Sequence, residues 1–298
     1  MGMASHAHGT VARAPDELKR LRASFVLVIG FMLIEIVGGI LTGSLALLSD
    51  AGHMGTDALG LGLAMAAVLA NRMPRPAGHT FGLYRLEILA ALANTVLLLA
   101  LAAYVVIESV GRLSTPAAIE SGPMLAIALG GLIVNVISLR WLQGHSLNIA
   151  AARTEVMADL VASVGVVAGS VVLALTGWTQ IDSVVALAVG ALIVPRAWRI
   201  GRQATRILVQ AAPPDLDLER LRDDLEAIPG VVDLHDLHVW TLTSGMEVAS
   251  AHILVGPEID AHSTLDRARG LLEEVYGIAH ATFQVESTSH RNCLEIEW

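Results

Sequence analysis

The sequence has little cysteine, little charge and few aromatic residues. Its single cysteine, Cys293, excludes a disulfide framework or a thiolate metal cluster made within one chain. Charged residues make up 16% of the chain, against about 25% in soluble domains, so an ordinary globular enzyme is not expected. An aromatic content of 4% and a net charge of −9 argue against a nucleic-acid partner. Hydrophobic residues reach 54% and mean hydropathy is +0.62, which indicates a polytopic membrane protein.

The charge is unevenly distributed along the chain, and this locates a domain boundary. Residues 1–212 hold 14 Lys/Arg and 11 Asp/Glu, whereas residues 213–298 hold 5 Lys/Arg and 17 Asp/Glu. The change falls at Pro213 and Pro214, which block the continuation of a helix. We therefore expect a cytoplasmic N-terminal tail over 1–22, a membrane domain over 23–212 and an acidic cytoplasmic domain over 213–298.

Six segments have the length and composition of transmembrane helices, provided that a few acidic residues are tolerated within them. Of the 14 Lys/Arg in residues 1–212, all except Arg112 lie beside the spans on one side of the membrane. The positive-inside rule therefore places both termini in the cytoplasm. The predicted spans are Ser24–Gly43, Ser44–Ala70, Ile88–Ile107, Ser121–Leu139, Leu160–Ile181 with an extension back to Ile149, and Ser183–Arg199.

Ionisable side chains inside these spans are functional candidates, because charge in hydrocarbon is costly. His53 and Asp57 are four residues apart in the second span, and Glu155 and Asp159 have the same spacing in the extended fifth span. Each pair therefore lies on one face of its helix. Two such helices can converge on one divalent cation with four nitrogen and oxygen ligands. This donor set is neither thiolate-soft nor an oxygen-only cage, and it favours a first-row transition metal.

Other polar residues in the spans have a simpler interpretation as helix-packing residues bonded to a neighbouring Ser or Thr. Asp50 lies on the face of His53 and Asp57, but one turn away from the expected ligands. The residues expected to serve in packing stand alone or near the end of a span: Glu35, Glu87, Asn94, Glu108, Asn135 and Asp182.

Four stretches of the chain resemble the cation diffusion facilitator family. Residues 44–57, SLALLSDAGHMGTD, are similar to the family's second-helix signature with its His-x-x-x-Asp. Residues 80–94 resemble the third-helix entry, 154–163 the fifth helix, and 196–213 the sixth-helix exit. The resemblance implies a homodimeric antiporter, not an enzyme, that exports divalent cations from the cytoplasm in exchange for protons. It implies no resident cofactor, Zn²⁺ as the expected cargo, and a bacterial-type inner membrane.

The resemblance assigns the transport site to His53, Asp57 and Asp159, with Glu155 in the fourth position. Many zinc-transporting members have His where this chain has Glu155, so Co²⁺, Ni²⁺, Cd²⁺, Fe²⁺ and Mn²⁺ remain alternative cargoes. A membrane metal sensor that moves no ions and a passive channel are further alternatives. An intramembrane metalloenzyme is disfavoured, because the chain has no His-Glu-x-x-His and a full protein ligand set leaves no open position for water.

The acidic part is predicted to be a small α+β domain with the order α-β-β-α-β. The helices are expected over 216–228 and 262–276, and the strands over 231–242, 247–255 and 279–286. This order resembles the ferredoxin-like, metallochaperone-like cytoplasmic domain of the same transporters, which dimerises. The complete expectation is a six-helix, all-α membrane domain followed by this ferredoxin-like domain.

The resemblance places the family's regulatory metal positions on His235, His252, His262 and Glu286. His235 and His238 are three residues apart on a predicted strand, so they are expected to face opposite sides and not to share a metal. Surface histidines on an acidic domain are the alternative interpretation. The sequence leaves open whether metal binds to His6, His8, His79 or Cys293.

Overall fold

The computed structural model describes residues 15–71, 78–142 and 147–288. Six long helices come first, and a unit with the order α-β-β-α-β follows. The elements are α1 (Pro15–Thr42), α2 (Leu45–Asn71), α3 (Arg85–Ser114), α4 (Ser121–Trp141), α5 (Leu147–Thr176), α6 (Gln180–Leu208), α7 (Leu218–Glu226), β1 (Val231–Thr243), β2 (Met246–Val255), α8 (Ala261–Tyr276) and β3 (His280–Ser287).

The prediction of a helical membrane domain followed by a small α+β domain is confirmed. Over the described residues, α1, α3, α4, α5 and α6 are long and apolar enough to cross a membrane, and α2 is the sixth long helix. The fifth helix ends at Thr176, before the predicted Ile181. Gly177 follows it with φ +68° and donates its N–H to the Leu173 carbonyl at 2.9 Å, an arrangement that stops a helix.

The chain forms two compact units, one from residues up to 62 with 94–198, the other from 63–93 with residues from 199 onward. In the first unit, small and aliphatic side chains from α2 to α6 form the core, and α4 packs against both α1 and α5. In the second unit, α7 and α8 cover the inner face of a three-stranded sheet. The strand order is β1-β2-β3, with β1 antiparallel and β3 parallel to β2.

A bulge in β1 changes which side chains share a face of the sheet. His235 lies opposite His252, whereas His238 lies opposite Ser250, and Asp236 between them has φ +51°. Directly opposed residues share a face, and His252 and Ser250 are two residues apart on β2. His235 and His238 therefore lie on the same outer face. The expectation that they face opposite sides is wrong, because it assumed an uninterrupted strand.

The start of α2 is held by Asp182, a buried residue in the first turn of α6. Its carboxylate accepts hydrogen bonds from the Ser44 hydroxyl at 2.6 Å and from the N–H groups of Leu45 and Ala46 at 2.7 and 3.2 Å. The Ser44 hydroxyl oxygen in turn accepts from the Leu47 N–H at 3.2 Å. The negative charge lies at the starts of two helices, where both helix dipoles favour it. Asp182 therefore fixes the position of α2 relative to α6, in agreement with its packing interpretation.

We expect Asp182→Ala to lower the free energy of unfolding by about 3 kcal/mol, because three buried donors lose their acceptor. The melting temperature of the purified full chain in detergent measures this loss. Glu108→Gln is the control, since Glu108 makes a partly exposed pair with Arg112 on α3 and its loss should cost at most about 1 kcal/mol. An Asp182→Ala protein as stable as the wild type would contradict the assigned role.

Candidate metal centres

Helices α2 and α5 bring together three of the four predicted transport-site residues. His53 Nε2 lies 3.7 Å from Asp57 Oδ2 and 3.7 Å from Asp159 Oδ1. His53 and Asp159 are buried, and Asp57 is half-buried. His53 and Asp57 are one helical turn apart on α2, and Asp159 reaches them from α5. Glu155 lies one turn before Asp159 in α5, but its side chain is outside the described part of the structure.

This donor set fits a divalent transition metal. Two ligand atoms of a tetrahedral site with bonds of about 2.0–2.1 Å are about 3.4 Å apart. The nitrogen–oxygen separations of 3.7 Å around His53 are close to that value. The carboxylates of Asp57 and Asp159 supply negative charge that a divalent cation balances, in a place where uncompensated charge is costly. His53 is thus spaced from each carboxylate as two ligands of one cation would be, but the three residues do not form a group with all ligand atoms within 4.8 Å of one another, so their side chains must move before all three bind one cation.

A guanidinium group from α6 also reaches this cluster. Arg196 Nη1 donates to Asp57 Oδ2 at 3.2 Å, and this is the same oxygen that faces His53. From the sequence, Arg196 is one of the basic residues on the cytoplasmic side and the first residue of the stretch that resembles the sixth-helix exit, and no role at the metal site is predicted for it. A usable signal was present, because Arg196 follows Pro195 directly within an otherwise apolar run of α6.

Other polar residues of the first unit fall into two groups. Asn135 Nδ2 donates to the Ser163 hydroxyl at 3.0 Å, which is the expected packing bond between two helices. Glu35 and Asp50 are each 2% exposed, and Glu35 Oε2 and Asp50 Oδ1 have no hydrogen-bond partner among the described residues. The packing interpretation expects a Ser or Thr bonded to Glu35, and among the described residues no such partner reaches Oε2.

A second cluster lies on the outer face of the sheet. His252 Nδ1 is 3.2 Å from Glu286 Oε1, and the rings of His235 and His252 meet edge to face with centroids 5.3 Å apart. One ligand atom from each of these three residues lies within 4.8 Å of the other two. His235 Nε2 is buried and lacks a hydrogen-bond partner within the described ranges. A metal bound to this cluster would supply that missing partner.

Two neighbours of this cluster were missed by the sequence interpretation. His235 Nδ1 lies 3.1 Å from Asp233 Oδ2, which fixes the orientation of the imidazole and leaves Nε2 as the ring nitrogen free of that contact. Gln284 Nε2 donates to Glu286 Oε1 at 2.6 Å and so orients that carboxylate. Both neighbours are two residues from a cluster member along a strand, and this spacing was the available signal.

The remaining predicted or open positions lie elsewhere. His262 is exposed at the start of α8, where its N–H donates to Asp260 Oδ1 at 3.2 Å, and it does not belong to the cluster of His235, His252 and Glu286. His79 is exposed in the turn before α3. His6, His8 and Cys293 lie outside the described residues.

Comparison with known proteins places both parts of the chain in one family. Residues 21–209 match the cation efflux transmembrane domain, and residues 213–288 match the cation efflux protein cytoplasmic domain. The metal cation efflux system protein CzcD of Cupriavidus metallidurans is 40% identical over 275 residues, which cover 90% of this chain and 86% of that protein. Zinc transporter ZitB of Escherichia coli strain K12 is 39% identical over 290 residues, covering 95% and 92%.

A more distant relative is the cadmium, cobalt and zinc/H(+)-K(+) antiporter of Bacillus subtilis strain 168. It is 32% identical over 282 residues, which cover 92% of this chain and 90% of that protein. A solved structure, the metal-bound C-terminal domain of the CzcD transporter of Cupriavidus metallidurans, is 32% identical, covers 24% of this chain and 99% of its own, and has a TM-score of 0.23. With family models matched along nearly its whole length, the chain is a multi-pass membrane protein and belongs to the cation efflux family, the cation diffusion facilitators.

Proposed function

We propose that this protein exports a divalent transition-metal cation from the cytoplasm in exchange for protons, with Zn²⁺ as its main cargo. The observation that carries the proposal is the convergence of His53, Asp57 and Asp159 from two long helices. Relatives named as a zinc transporter and as a cadmium, cobalt and zinc antiporter support the same class of cargo. Glu155, one turn before Asp159, is proposed as the fourth ligand.

The coupling to protons follows from the chemistry of the ligands. Carboxylates and imidazole must lose their protons before they bind a metal, so metal and protons compete for the same groups. In a state open to the cytoplasm, metal displaces protons from His53, Asp57 and Asp159. In a state open to the other side, protons displace the metal and reset the site. Because α2 and α5 carry the ligands, a movement of one helix against the other changes the affinity of the site.

The proposal extends to the arrangement of the protein in the membrane. Residues 23–212 form the transport domain of a bacterial-type inner-membrane protein, and both termini are cytoplasmic, as the placement of Lys and Arg supports. The cytoplasmic domain over 213–298 joins two copies into a homodimer. It also holds a regulatory metal at His235, His252 and Glu286, without requiring His262 as a ligand.

A membrane metal sensor that moves no ions is the second candidate function. The observation that favours it is the outer-face cluster of His235, His252 and Glu286, called here the cytoplasmic cluster. The membrane cluster, formed by His53, Asp57 and Asp159, argues against a sensor, because buried ionisable groups are costly to keep where nothing is transported. An enzyme is not proposed, since the family is one of transporters. Transport measured in reconstituted vesicles separates these candidates.

We expect Asp159→Asn to reduce metal-driven proton flux in proteoliposomes at least about tenfold, because the site loses a charged ligand. Glu108→Gln is the control, since it removes an acid on α3 that pairs with Arg112 and should leave the flux unchanged. An unchanged flux in Asp159→Asn would contradict the proposed site. Metal flux without accompanying proton movement in the wild type would instead indicate a passive channel.

Glu155→His should shift the cargo preference towards Zn²⁺ over Mn²⁺ several-fold, because imidazole replaces a harder carboxylate ligand. Initial uptake rates into everted vesicles, measured for each metal separately, give the ratio. Glu108→His introduces the same side chain on α3 and should leave the ratio unaltered. If both variants keep the wild-type ratio, Glu155 does not select the metal.

His252→Ala should remove one bound metal per protomer from the purified full chain, since His252 lies between His235 and Glu286 in the outer-face cluster. Equilibrium dialysis with Zn²⁺ followed by elemental analysis counts the bound ions. His238→Ala is the matched control, because His238 lies exposed on the same face but outside the cluster. Equal losses in the two variants would overturn the assignment.

A further inference from the structure

One carboxylate oxygen of the membrane cluster faces two different groups. Asp57 Oδ2 accepts a hydrogen bond from Arg196 Nη1 at 3.2 Å and lies 3.7 Å from His53 Nε2. Arg196 and Asp57 are only 28% and 21% exposed, so water screens their attraction less than it would at an open surface. The oxygen that would bind a metal together with His53 is therefore already paired with a positive charge.

A metal and the guanidinium cannot both be close neighbours of this oxygen at little cost. A metal bound to Asp57 Oδ2 and His53 Nε2 would lie about 2 Å from each atom. It would then approach the guanidinium, which is 3.2 Å from the same oxygen. Like charges at such a separation in a partly buried site repel strongly. Binding of a divalent cation therefore favours withdrawal of the Arg196 side chain, and release of the cation favours its return.

Because Arg196 belongs to α6 and Asp57 to α2, withdrawal of the Arg196 side chain also breaks a contact between these two helices. Asp182 holds the start of α6 against the start of α2 through buried hydrogen bonds. Arg196 lies about 21 Å further along α6, and Asp57 lies about 18 Å along α2 from Leu45. α2 and α6 are thus joined at two levels along their axes. At the first level they are joined by the buried hydrogen bonds of the Asp182 carboxylate, and at the second by the pair of Arg196 and Asp57, which a metal can break.

We infer that Arg196 is a built-in counter-cation: it occupies Asp57 while the site holds no metal, gives way to the incoming metal, and helps to expel it. The inference rests on the proposed role of Asp57 as a ligand. Arg196 is a positioning residue, because it acts through Asp57 and does not itself bind the cargo. Its presence weakens metal binding, so the site releases its cargo more readily than the ligands alone would allow.

The test compares Arg196→Gln with Arg199→Gln in full-length protein reconstituted into nanodiscs and liposomes. Both variants remove one positive charge from α6, but Arg199 is exposed one turn further on and is the matched control. Both are made in the His252→Ala background, which keeps the cytoplasmic cluster from contributing. Zn²⁺ affinity is measured by competition with a fluorescent chelator, and KM and the maximal rate are measured by uptake into liposomes.

We expect Arg196→Gln to bind Zn²⁺ about tenfold more tightly, the size expected when a charge-assisted hydrogen bond no longer competes. KM should fall and the maximal rate should fall with it, because release becomes slower. Arg196→Lys, made in the same background, keeps the charge but loses the planar fork of donors, so its affinity should lie between those of the His252→Ala parent and Arg196→Gln. Arg199→Gln should match the His252→Ala parent in all three quantities.

Two results would overturn the inference: an affinity in Arg196→Gln that is unchanged or weaker, or equal effects of the Arg196 and Arg199 variants. If Arg196→Gln does not fold, as judged by its melting temperature, an affinity in Arg196→Lys equal to that of the His252→Ala parent counts against the inference in the same way. Asp57→Asn tests the proposed function separately. Unchanged transport by Asp57→Asn would show that Asp57 is not a ligand of the transport site. If transport is lost in Asp57→Asn but the Zn²⁺ affinity of Arg196→Gln is unchanged, only the counter-cation role of Arg196 is rejected.

Discussion

The hydrogen bonds between the Asp182 carboxylate and the first turn of α2 set the position of the helix on which the membrane cluster depends. Because α2 begins at that carboxylate, His53 and Asp57 lie at fixed heights, about 12 and 18 Å along the helix axis. Because Asp182 belongs to α6, the same bonds set the height at which Arg196 meets Asp57. One buried carboxylate thus aligns two proposed ligands and the cation that competes for one of them.

Helix geometry made part of the membrane cluster predictable from the sequence. The four-residue spacing of His53 and Asp57 fixes a shared face, and only the meeting of α2 with α5 needed the structure. The pair formed by Arg196 and Asp57 had no such local signature, since its partners are 139 residues apart in sequence. The shared face of His235 and His238 was likewise hidden, because it depends on one extra residue in β1.

The two clusters present similar candidate ligands on different scaffolds. In the membrane cluster, the side chains belong to separate helices, whose packing through aliphatic side chains allows small rigid-body shifts. In the cytoplasmic cluster, His235, His252 and Glu286 stand on three strands joined by ladder hydrogen bonds. A sheet of this kind resists changes in the spacing of neighbouring side chains. Under the proposed function, the first scaffold suits exchange of an ion between two sides, and the second suits retention of a regulatory ion.

The bulge in β1 accommodates one extra residue while the side chains on either side of it keep their faces of the sheet. Leu234 and Val239 both point into the core, although an uninterrupted strand would place residues five apart on opposite faces. Deleting one of the two residues between His235 and His238 would leave these histidines two residues apart, the spacing at which an uninterrupted strand keeps side chains on one face. Loss of that single codon would therefore keep both histidines on the outer face and Val239 in the core, whereas loss of a residue from a regular part of β1 would make the side chains beyond it exchange faces.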